Sequence, residues 1–270
     1  MPDVHIGTSG WSYDEWIGVF YPDKDTPKLK YYSSIFDTVE VDSSFYSFPK
    51  PSTVFGWVKN SGSNFTFSLK LPKIITHDMM LGEGSSEQLD RFLNVIQPLW
   101  SSEKLGVLLV QLPPRLSFND KLLEGFLASL PSDQYKFAVE FRNTSWLREE
   151  TWKILRQYGV ANTIVDEPIL PSDILLTAKY TYIRWHGHGK KVWYDYKYGA
   201  NDVKSWAGKI RQISKSHQVY GYWNNHFHGY AILNSLQELR ELGMMNERRT
   251  HALADAERSF NSRKTLTDYI

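Results

Sequence analysis

The sequence predicts an α/β fold, a (β/α)8 barrel of the TIM type, and two observations carry that prediction. Eight short apolar runs alternate with helical patterns along the 270 residues, and strands that alternate with helices form a parallel sheet. Eight such units in roughly 250 residues suit a closed barrel better than a doubly wound sheet, which usually has fewer strands. We therefore expect one barrel domain over residues 1–243 and a polar, helical C-terminal extension over residues 244–270.

The apolar runs are rich in β-branched and aromatic residues, which favour strands. In chain order, the predicted strands cover residues 4–10, 38–44, 65–72, 105–113, 136–142, 160–166, 180–187 and 219–225. The predicted helices between them cover residues 27–36, 51–60, 85–100, 118–129, 146–158, 202–216 and 229–242. The segment 167–179 contains two prolines and predicts only a short helix. The residues after Gly243 are polar and mixed in charge, so we interpret them as a solvated extension.

The composition narrows the class of protein. The absence of cysteine excludes disulfides, thiolate metal sites and a cysteine nucleophile. A net charge of +1 gives no overall excess of the kind that nucleic-acid-binding proteins carry, but a local basic groove is compatible with it. Because there is neither a signal-peptide pattern nor an apolar run of membrane-spanning length, we expect a cytoplasmic protein without a membrane partner. No dinucleotide or P-loop spacing is present, so no organic cofactor is expected.

Polar side chains recur at the carboxyl ends of the predicted strands. In "KFAVEFR", alternation directs the phenylalanines and the valine toward the helices, and directs Glu140 and Arg142 toward the barrel axis. The segment "YWNNHFHG" adds Asn225 and His226 to the same end. Barrel enzymes place their active sites there. The same alternation directs the following residues to that end of the axis: Ser9, Glu40, Asp42, Lys70, Gln111, Asp166, Arg184, His186 and Asn224.

The inward charges admit two interpretations. The cations Lys70, Arg142 and Arg184 can pair with the four inward carboxylates in a purely internal network. Buried ion pairs return little net stability, because desolvation offsets most of their attraction. We therefore favour a binding or catalytic site over a structural network.

Histidines and carboxylates at this end suggest a divalent metal site. Two His-x-His pairs occur, but the second member of each lies beyond its strand in a glycine-rich loop. One histidine with carboxylates from other strands therefore suits a metal better than either pair. We expect Mg, Mn or Zn to bind Glu140, His186 and His226, with Asp166 as a further ligand.

Two loops bring aromatic residues to the same end of the barrel. The loop 187–199 interleaves three lysines with Trp193 and three tyrosines, a composition that suits single-stranded nucleic acid or a phosphorylated ligand. The same composition suits a lid whose aromatic side chains pack onto the barrel. The glycine-containing turn 7–16 lets Trp11 approach a ligand.

Seven blocks of the sequence together resemble the signature of one family. They are "IGTSGWSYDEWIGVFYP", "FDTVEVDSSFYSFP", "LGVLLVQLPP", "FAVEFRNTSW", "YIRWHGHG", "YDYKY" and "YWNNHFHGYA". From about residue 4 to about residue 242, and in order, they resemble the YecE-like family, catalogued as domain of unknown function 72. The resemblance implies a TIM-type barrel, but it implies no activity because the family has no established one.

The resemblance also implies which residues match the family pattern. Asp42 departs from it, because the family usually has asparagine there, and His188 stands where a basic residue is common. The charged tail after Gly243 looks additional to the family. The matching residues are Ser9, Trp11, Glu40, Gln111, Glu140, Arg142, Trp146, Arg184, His186, Gly187, Asn224 and Asn225.

The leading hypothesis is a metal-dependent phosphoester hydrolase, an enzyme that acts on nucleic acid or on a small phosphorylated ligand. Glu140, His186 and Asp166 would be the catalytic residues, because carboxylates and imidazoles move protons and hold metals. Arginines and a lysine would hold the phosphate. The expected substrate-binding residues are Ser9, Trp11, Asp42, Lys70, Gln111, Arg142, Arg184, Trp193, Asn224 and Asn225.

Two other hypotheses stay open. The protein is alternatively a carbohydrate-active enzyme, such as a glycosidase, an isomerase or a sugar-phosphate enzyme, in which Glu140 works with Asp42 or Asp166 as acid and base. A sugar phosphate would reconcile this hypothesis with the first. The third hypothesis is a ligand-binding barrel without catalysis. The sequence assigns no oligomeric state.

Overall fold

The computed structural model is an eight-stranded parallel barrel, which confirms the predicted fold class. The structure describes residues 4–267, and it describes side chains through residue 262. From β2 to β8 each strand pairs in parallel with the next, and β8 pairs with β1. The strands are β1 Val4–Thr8, β2 Thr38–Val41, β3 Thr66–Lys70, β4 Leu105–Gln111, β5 Lys136–Glu140, β6 Ala161–Asp166, β7 Tyr180–Trp185 and β8 Gln218–Trp223.

The barrel closes between β1 and β2 through a single bridge. Ser9 pairs with Glu40 there, and the amide of Gly10 donates to the carbonyl of Glu40 over 2.8 Å. Gly7 permits this approach, because a Cβ on it would lie 2.3 Å from the carbonyl oxygen of Thr38. Gly7, the first glycine in "IGTSG", therefore allows the first two strands to lie close together.

Helices surround the barrel as predicted, with one exception. The segment 167–179 forms no helix, so the prediction of a short helix there is wrong. Pro168 and Pro171 each remove a backbone donor, which disfavours a helix in so short a segment. The helices are α1 Lys28–Tyr32, α2 Pro51–Asn60, α3 Ser85–Ser101, α4 Asp120–Ala128, α5 Glu149–Gln157, α6 Ala200–Ile213, α7 Tyr230–Glu241 and α8 Glu247–Thr267.

The C-terminal extension forms the helix α8, and part of this helix is buried. The predicted helical character is confirmed, but the prediction of a solvated extension is wrong. Leu253 and Phe260 are buried, together with two alanines on the same face. Arg249 is also buried and donates from Nε to the carbonyl of Ile35 over 2.9 Å. Residues 268–270 of the predicted extension lie outside the described residues.

The barrel interior is filled by tyrosines below its polar end. Tyr180, Tyr182, Tyr220 and Tyr222 are buried there with small and aliphatic side chains. The hydroxyl of Tyr222 donates to Ser68 Oγ over 2.8 Å, so a polar tip in the core has its partner. The polar side chains at the carboxyl ends of the strands lie above this filled interior, where TIM-type barrels place their sites. No helix in the described part of the chain has the length and apolarity of a membrane span.

Candidate functional site

A buried ion cluster lies at the carboxyl ends of the strands. Arg184, at the end of β7, is 1% exposed and donates from Nη2 and Nε to Glu40 Oε1 over 2.7 and 3.2 Å. Its Nη1 donates to Glu140 Oε2 over 2.9 Å, and its Nη2 lies 3.4 Å from Asp42 Oδ1. Tyr182 donates to Glu40 Oε2 over 2.7 Å. One guanidinium therefore joins β7 to β2 and β5 across the axis.

Arg142 forms the second centre of this cluster, just after β5. Its Nη1 donates to Glu167 Oε2 over 2.5 Å, and its Nη2 lies 2.9 Å from His186 Nε2. Its Nε donates to Glu140 Oε1 over 2.5 Å, and Gln111 Nε2 donates to the same oxygen over 2.6 Å. Glu140 thus accepts from donors at the ends of three strands, β4, β5 and β7, and its side chain is fully buried.

The contacts of the cluster determine its charges. Burial would raise the pKa of Glu140, but Arg142 and Arg184 hold it well below its ordinary value, so the carboxylate is ionised. Burial raises the pKa of Glu40 in spite of Arg184. Burial and the two arginines lower the pKa of His186 to about 3, so this imidazole is neutral at neutral pH.

The barrel opens beside this cluster into a pocket of about 520 Å³, the size of a small-molecule site. Its wall carries three cations, Lys70, Arg142 and Arg184, and one anion, Asp42. An excess of positive charge on a concave wall favours an anionic ligand. The pocket is lined by Tyr13, Asp42, Ser43, Tyr46, Lys70, His77, Gln111, Leu112, Pro114, Arg142, Arg184, Tyr194, Asn224 and His226.

Lys70 is the cation of the wall that forms no direct ion pair with a described side chain, although the charge of Asp42 acts on it at longer range. Its Nζ lies 4.0 Å from the centre of the Phe45 ring, and the side chains of residues 4–262 offer it neither an ion pair nor a hydrogen bond. Burial lowers the pKa of Lys70, and Asp42 opposes that shift. Because the arginines direct most of their N–H groups to carboxylates, the Lys70 ammonium is the most available positive charge in the pocket.

His226 presents a free ring nitrogen to the pocket. Its Nδ1 lies 3.3 Å from the carbonyl oxygen of Asn224, so Nδ1 carries the hydrogen and donates it. The ring stacks on Tyr13 at 4.6 Å between centroids, and the Tyr13 hydroxyl donates to the carbonyl of Ser9 over 3.0 Å. Burial lowers the pKa of His226, so its Nε2 is an unprotonated acceptor. A general base requires this arrangement.

Aromatic side chains complete the rim of the pocket. Tyr46 is 74% exposed, and Tyr194 reaches in from the loop 187–199 with its ring 5.8 Å from that of His226. Burial lowers the pKa of His77 to about 4, so this histidine is neutral as well. The rim therefore offers flat faces on which a ligand can stack.

Seven of the predicted site residues line the pocket. Glu140 and His186 were also predicted, but they lie behind Arg142 and contact it rather than the cavity. Ser9 contributes to the pocket only indirectly, because its Oγ donates to Oδ2 of the wall residue Asp42 over 2.5 Å. The predicted residues on the wall are Asp42, Lys70, Gln111, Arg142, Arg184, Asn224 and His226.

The structure does not bring Trp11 or Trp193 to the pocket. Trp11 packs instead against Trp57 and Phe67, with ring centroids 6.1 and 6.3 Å away. The backbone carbonyl of Trp193 accepts from the amide of Gly189 over 3.2 Å, which supports the loop itself. The stacking roles predicted for these two indoles therefore lack a geometric basis.

Asn225 and Trp146 hold the scaffold. Asn225 Nδ2 donates to the carbonyl of Tyr196 over 2.8 Å and to Asn234 Oδ1 over 2.9 Å, so it ties the loop 187–199 to α7. Trp146 is fully buried and donates from Nε1 to the carbonyl of Leu116 over 2.7 Å. Asn225 is therefore not among the residues that line the pocket.

The prediction that Asp166 faces the axis is wrong. Its Oδ2 accepts from Trp206 Nε1 over 2.6 Å, and its Oδ1 lies 2.5 Å from His188 Nε2, so it faces the outer helices. Ile164, two residues earlier, lies in the outer core and has the same parity. Glu167 is the inward carboxylate, and it contacts Arg142.

The predicted metal set does not fit a metal ion. In the part of the chain that the structure describes, no group of three or more histidine and carboxylate side chains is arranged to hold one. Both oxygens of Glu140 accept from arginines, and both ring nitrogens of His186 have partners, Arg142 and Asn224. A guanidinium in the coordination position repels a divalent cation, so Glu140, His186 and His226 do not suit Mg, Mn or Zn.

Several residues of the wall were missed by the sequence reasoning. Tyr13, Tyr46 and Tyr194 lie in loops, and His77 lies in the short helix Ile74–Asp78. The alternation of a strand applies to none of them. Aromatic residues next to the strand ends were the sequence feature that could have identified these wall residues. In two of these loops that feature led to the tryptophans, Trp11 and Trp193, instead of to the tyrosines. The inward carboxylate Glu167 was missed by one position.

The eight parallel strands and the polar pocket at their carboxyl ends define a TIM-barrel protein with its candidate site at the usual face. A family model described as "Protein of unknown function DUF72" matches residues 5–258, and the chain belongs to that family. This confirms the resemblance to the YecE-like family. Because the match includes most of α8, the prediction that the tail is additional to the family is wrong.

Known relatives agree with this assignment. The chain is 27% identical to the UPF0759 protein YunF of Bacillus subtilis, over 88% of this chain and 94% of that protein. It is 28% identical to the UPF0759 protein YecE of Escherichia coli, over 60% of this chain and 59% of that protein. A solved DUF72 family protein of Thermotoga maritima has a TM-score of 0.81 and 32% identity, over 89% of this chain and 99% of that one.

Proposed function

We propose that this protein is a phosphoester hydrolase whose substrate is a small phosphorylated molecule bound in the pocket. The observation that carries the proposal is the Lys70 ammonium, which has no ionic partner among the described side chains and faces a cavity of about 520 Å³. A cavity of this size encloses a small ligand. The net charge of +1 offers little of the broad basic surface that a long polyanion needs, so a nucleic acid is the weaker candidate.

The phosphate would bind between Lys70 and Arg142. The Arg142 side chain is 12% exposed, and its guanidinium keeps part of its donor edge on the pocket wall. Asp42 lies on the same wall as a carboxylate, because Arg184, Lys70 and Ser9 lower its pKa against the effect of burial. A phosphate is thus expected on the side of the pocket away from Asp42.

His226 supplies the base for the reaction. Water would attack phosphorus while its proton passes to Nε2 of His226. Burial lowers the pKa of this imidazole, and the Asn224 carbonyl holds its hydrogen on Nδ1, so Nε2 is free to accept. The ester P–O bond then breaks, and the leaving oxygen takes up a proton, from the Lys70 ammonium or from solvent. The products are an alcohol and inorganic phosphate, so the atoms balance with one water consumed.

The test is release of inorganic phosphate from a panel of small phosphomonoesters, beside cleavage of labelled oligonucleotides. The assay is run with EDTA and with Mg²⁺, Mn²⁺ or Zn²⁺. We expect release from a small monoester whether or not a metal is added, and a loss of roughly a hundredfold or more in kcat for His226→Gln. The exposed His251 provides the matched control, His251→Gln, which should keep wild-type activity.

Three outcomes would contradict the proposal. Phosphate binding without turnover of any ester would make the protein a binding barrel. Cleavage of oligonucleotides alone would move the substrate to nucleic acid. Activity that requires a metal and survives His226→Gln would remove the base from its assigned role.

A further inference from the structure

We propose that the pocket recognises two kinds of oxygen on one ligand, and that the substrate is therefore a phosphorylated polyol such as a sugar phosphate. The amide nitrogen of Asn224 donates to an oxygen of the phosphate, and the amide oxygen of Gln111 accepts from a hydroxyl group. The identity of the anionic end rests on the proposed function. The orientation of the two amides rests on hydrogen-bond contacts within the ion cluster and on the charges of Glu140 and His186.

The orientation of Asn224 begins at Arg142. Its Nη2 lies 2.9 Å from His186 Nε2, and a guanidinium can only donate. Nε2 of His186 must therefore accept. Because the imidazole is neutral, its single hydrogen is on Nδ1.

Asn224 is the partner of that hydrogen. Its Nδ2 lies 3.0 Å from His186 Nδ1, and the Asn224 side chain also forms part of the pocket wall. Two donors cannot share this contact, and a half-turn of the amide exchanges its nitrogen for its oxygen. A protonated Nδ1 requires an acceptor, so the amide oxygen of Asn224 turns toward the histidine. The amide nitrogen, with two hydrogens, then faces the pocket as a donor.

Gln111 is held in the opposite sense. Its Nε2 donates to Glu140 Oε1 over 2.6 Å, and the ionised Glu140 carboxylate can only accept. The amide oxygen of Gln111 is therefore the atom left for the pocket, which Gln111 lines. Two amides with the same chemistry thus present a donor and an acceptor.

The rest of the wall fits a ligand with an anion at one end and hydroxyl groups at the other. Lys70 joins the donors, whereas the Asp42 carboxylate joins the acceptors. Inorganic phosphate or a simple alkyl phosphate would leave the acceptors without partners. A neutral sugar would leave Lys70 without an anion. A polyol phosphate satisfies both sets.

The first arm of the test measures the tautomer of His186 by ¹⁵N-resolved NMR of the whole protein. The His186→Gln variant assigns the signal. We expect a neutral ring with its hydrogen on Nδ1. A hydrogen on Nε2 would reverse the Asn224 amide and overturn the inference, whatever the protein binds.

The second arm compares two matched ligands by calorimetry, glycerol phosphate and propyl phosphate, with inorganic phosphate and glycerol as references. We expect glycerol phosphate to bind roughly three- to tenfold more tightly than propyl phosphate, because its hydroxyl groups meet the acceptors. Equal affinities, with phosphate bound, would overturn the polyol inference and leave the proposed function standing. If neither phosphate ester binds, the proposed function fails as well.

The third arm uses Asn224→Asp. Aspartate still accepts from His186 Nδ1, but it replaces the donor with a second carboxylate oxygen. We expect the affinity for glycerol phosphate to fall about tenfold or more. Asn201→Asp, which adds the same charge at an exposed position in α6, is the control and should bind as wild type. An Asn224→Asp protein that is folded and binds normally would contradict the donor role.

Discussion

His186 shows at the residue scale how the cluster sets a protonation state. It is fully buried, with Arg142 on one ring nitrogen and Asn224 on the other. Burial and the nearby arginines lower its pKa from 6.5 to about 3. The unfolded chain takes up a proton on this residue near its ordinary pKa, whereas the folded chain resists that proton.

The stability of the protein should therefore decrease in acid through His186. The depressed pKa contributes fully above about pH 6.5, and the contribution is lost as pH falls toward about 3. The free energy of unfolding changes by at most about 1.4 kcal/mol per pH unit for one such proton. Urea titrations of wild type and His186→Gln between these pH values measure the effect. We expect a shallower acid slope in the variant, and parallel slopes would contradict the buried neutral state.

Residue-level prediction from the sequence succeeded for several side chains at the strand ends, but it failed for Asp166, the last residue of β6. Alternation placed Asp42, Lys70, Arg142 and Arg184 correctly, because two residues per repeat is a geometric property of the strand. It could not show that Glu140 would be surrounded by donors and cut off from the pocket. That result depends on side chains at the ends of three strands, and no single stretch of sequence contains them.

At the scale of elements, the helix α8 attaches to the barrel through one buried arginine. Arg249 donates from Nη1 to the carbonyl of Met244 over 2.7 Å and from Nε to Ile35, and its Nη2 lies 3.6 Å from Asp37. The neighbouring Arg248 is exposed. Among the many charged residues of this helix, Arg249 is thus one whose side chain is buried and contributes to the fold.

Replacement of Arg249 should loosen this attachment. Arg249→Met leaves the carbonyl groups of Ile35 and Met244 and the part-buried Asp37 carboxylate without this donor, so we expect a loss of about 1–3 kcal/mol in the free energy of unfolding. Arg248→Met, one residue earlier on the exposed side, should cost less than about 0.5 kcal/mol. Urea unfolding of both variants makes the comparison. Equal effects would show that α8 does not depend on Arg249.

The elements themselves were largely predictable, because apolar periodicity repeats along the chain. Each predicted strand overlaps an observed one, and α2 was predicted at its observed bounds. The segment 167–179 was the exception. A short helix was predicted there, but its two prolines disfavour one. The buried face of α8 was not predicted, because four buried apolar side chains in a charged helix leave only a weak apolar pattern.

For the whole molecule, net charge conceals the local field. The total of +1 describes a nearly neutral chain, but the wall of the pocket carries three cations and one anion. The carboxylates that balance them, Glu40, Glu140 and Glu167, lie behind the wall in contact with the arginines. Composition cannot show this separation, because it arises only when the strands come together. The central claim that the pocket binds an anion depends on this separation of charges.

The most direct measurement is a calorimetric titration of inorganic phosphate into wild type, Lys70→Met and the exposed control Lys73→Met. We predict that phosphate binds wild type and Lys73→Met equally, and that Lys70→Met binds roughly ten- to a hundredfold more weakly. Wild-type affinity should also fall as pH rises through the lowered pKa of Lys70, below the ordinary 10.5. Unchanged affinity in Lys70→Met, or no phosphate binding at all, would contradict an anion site at this pocket.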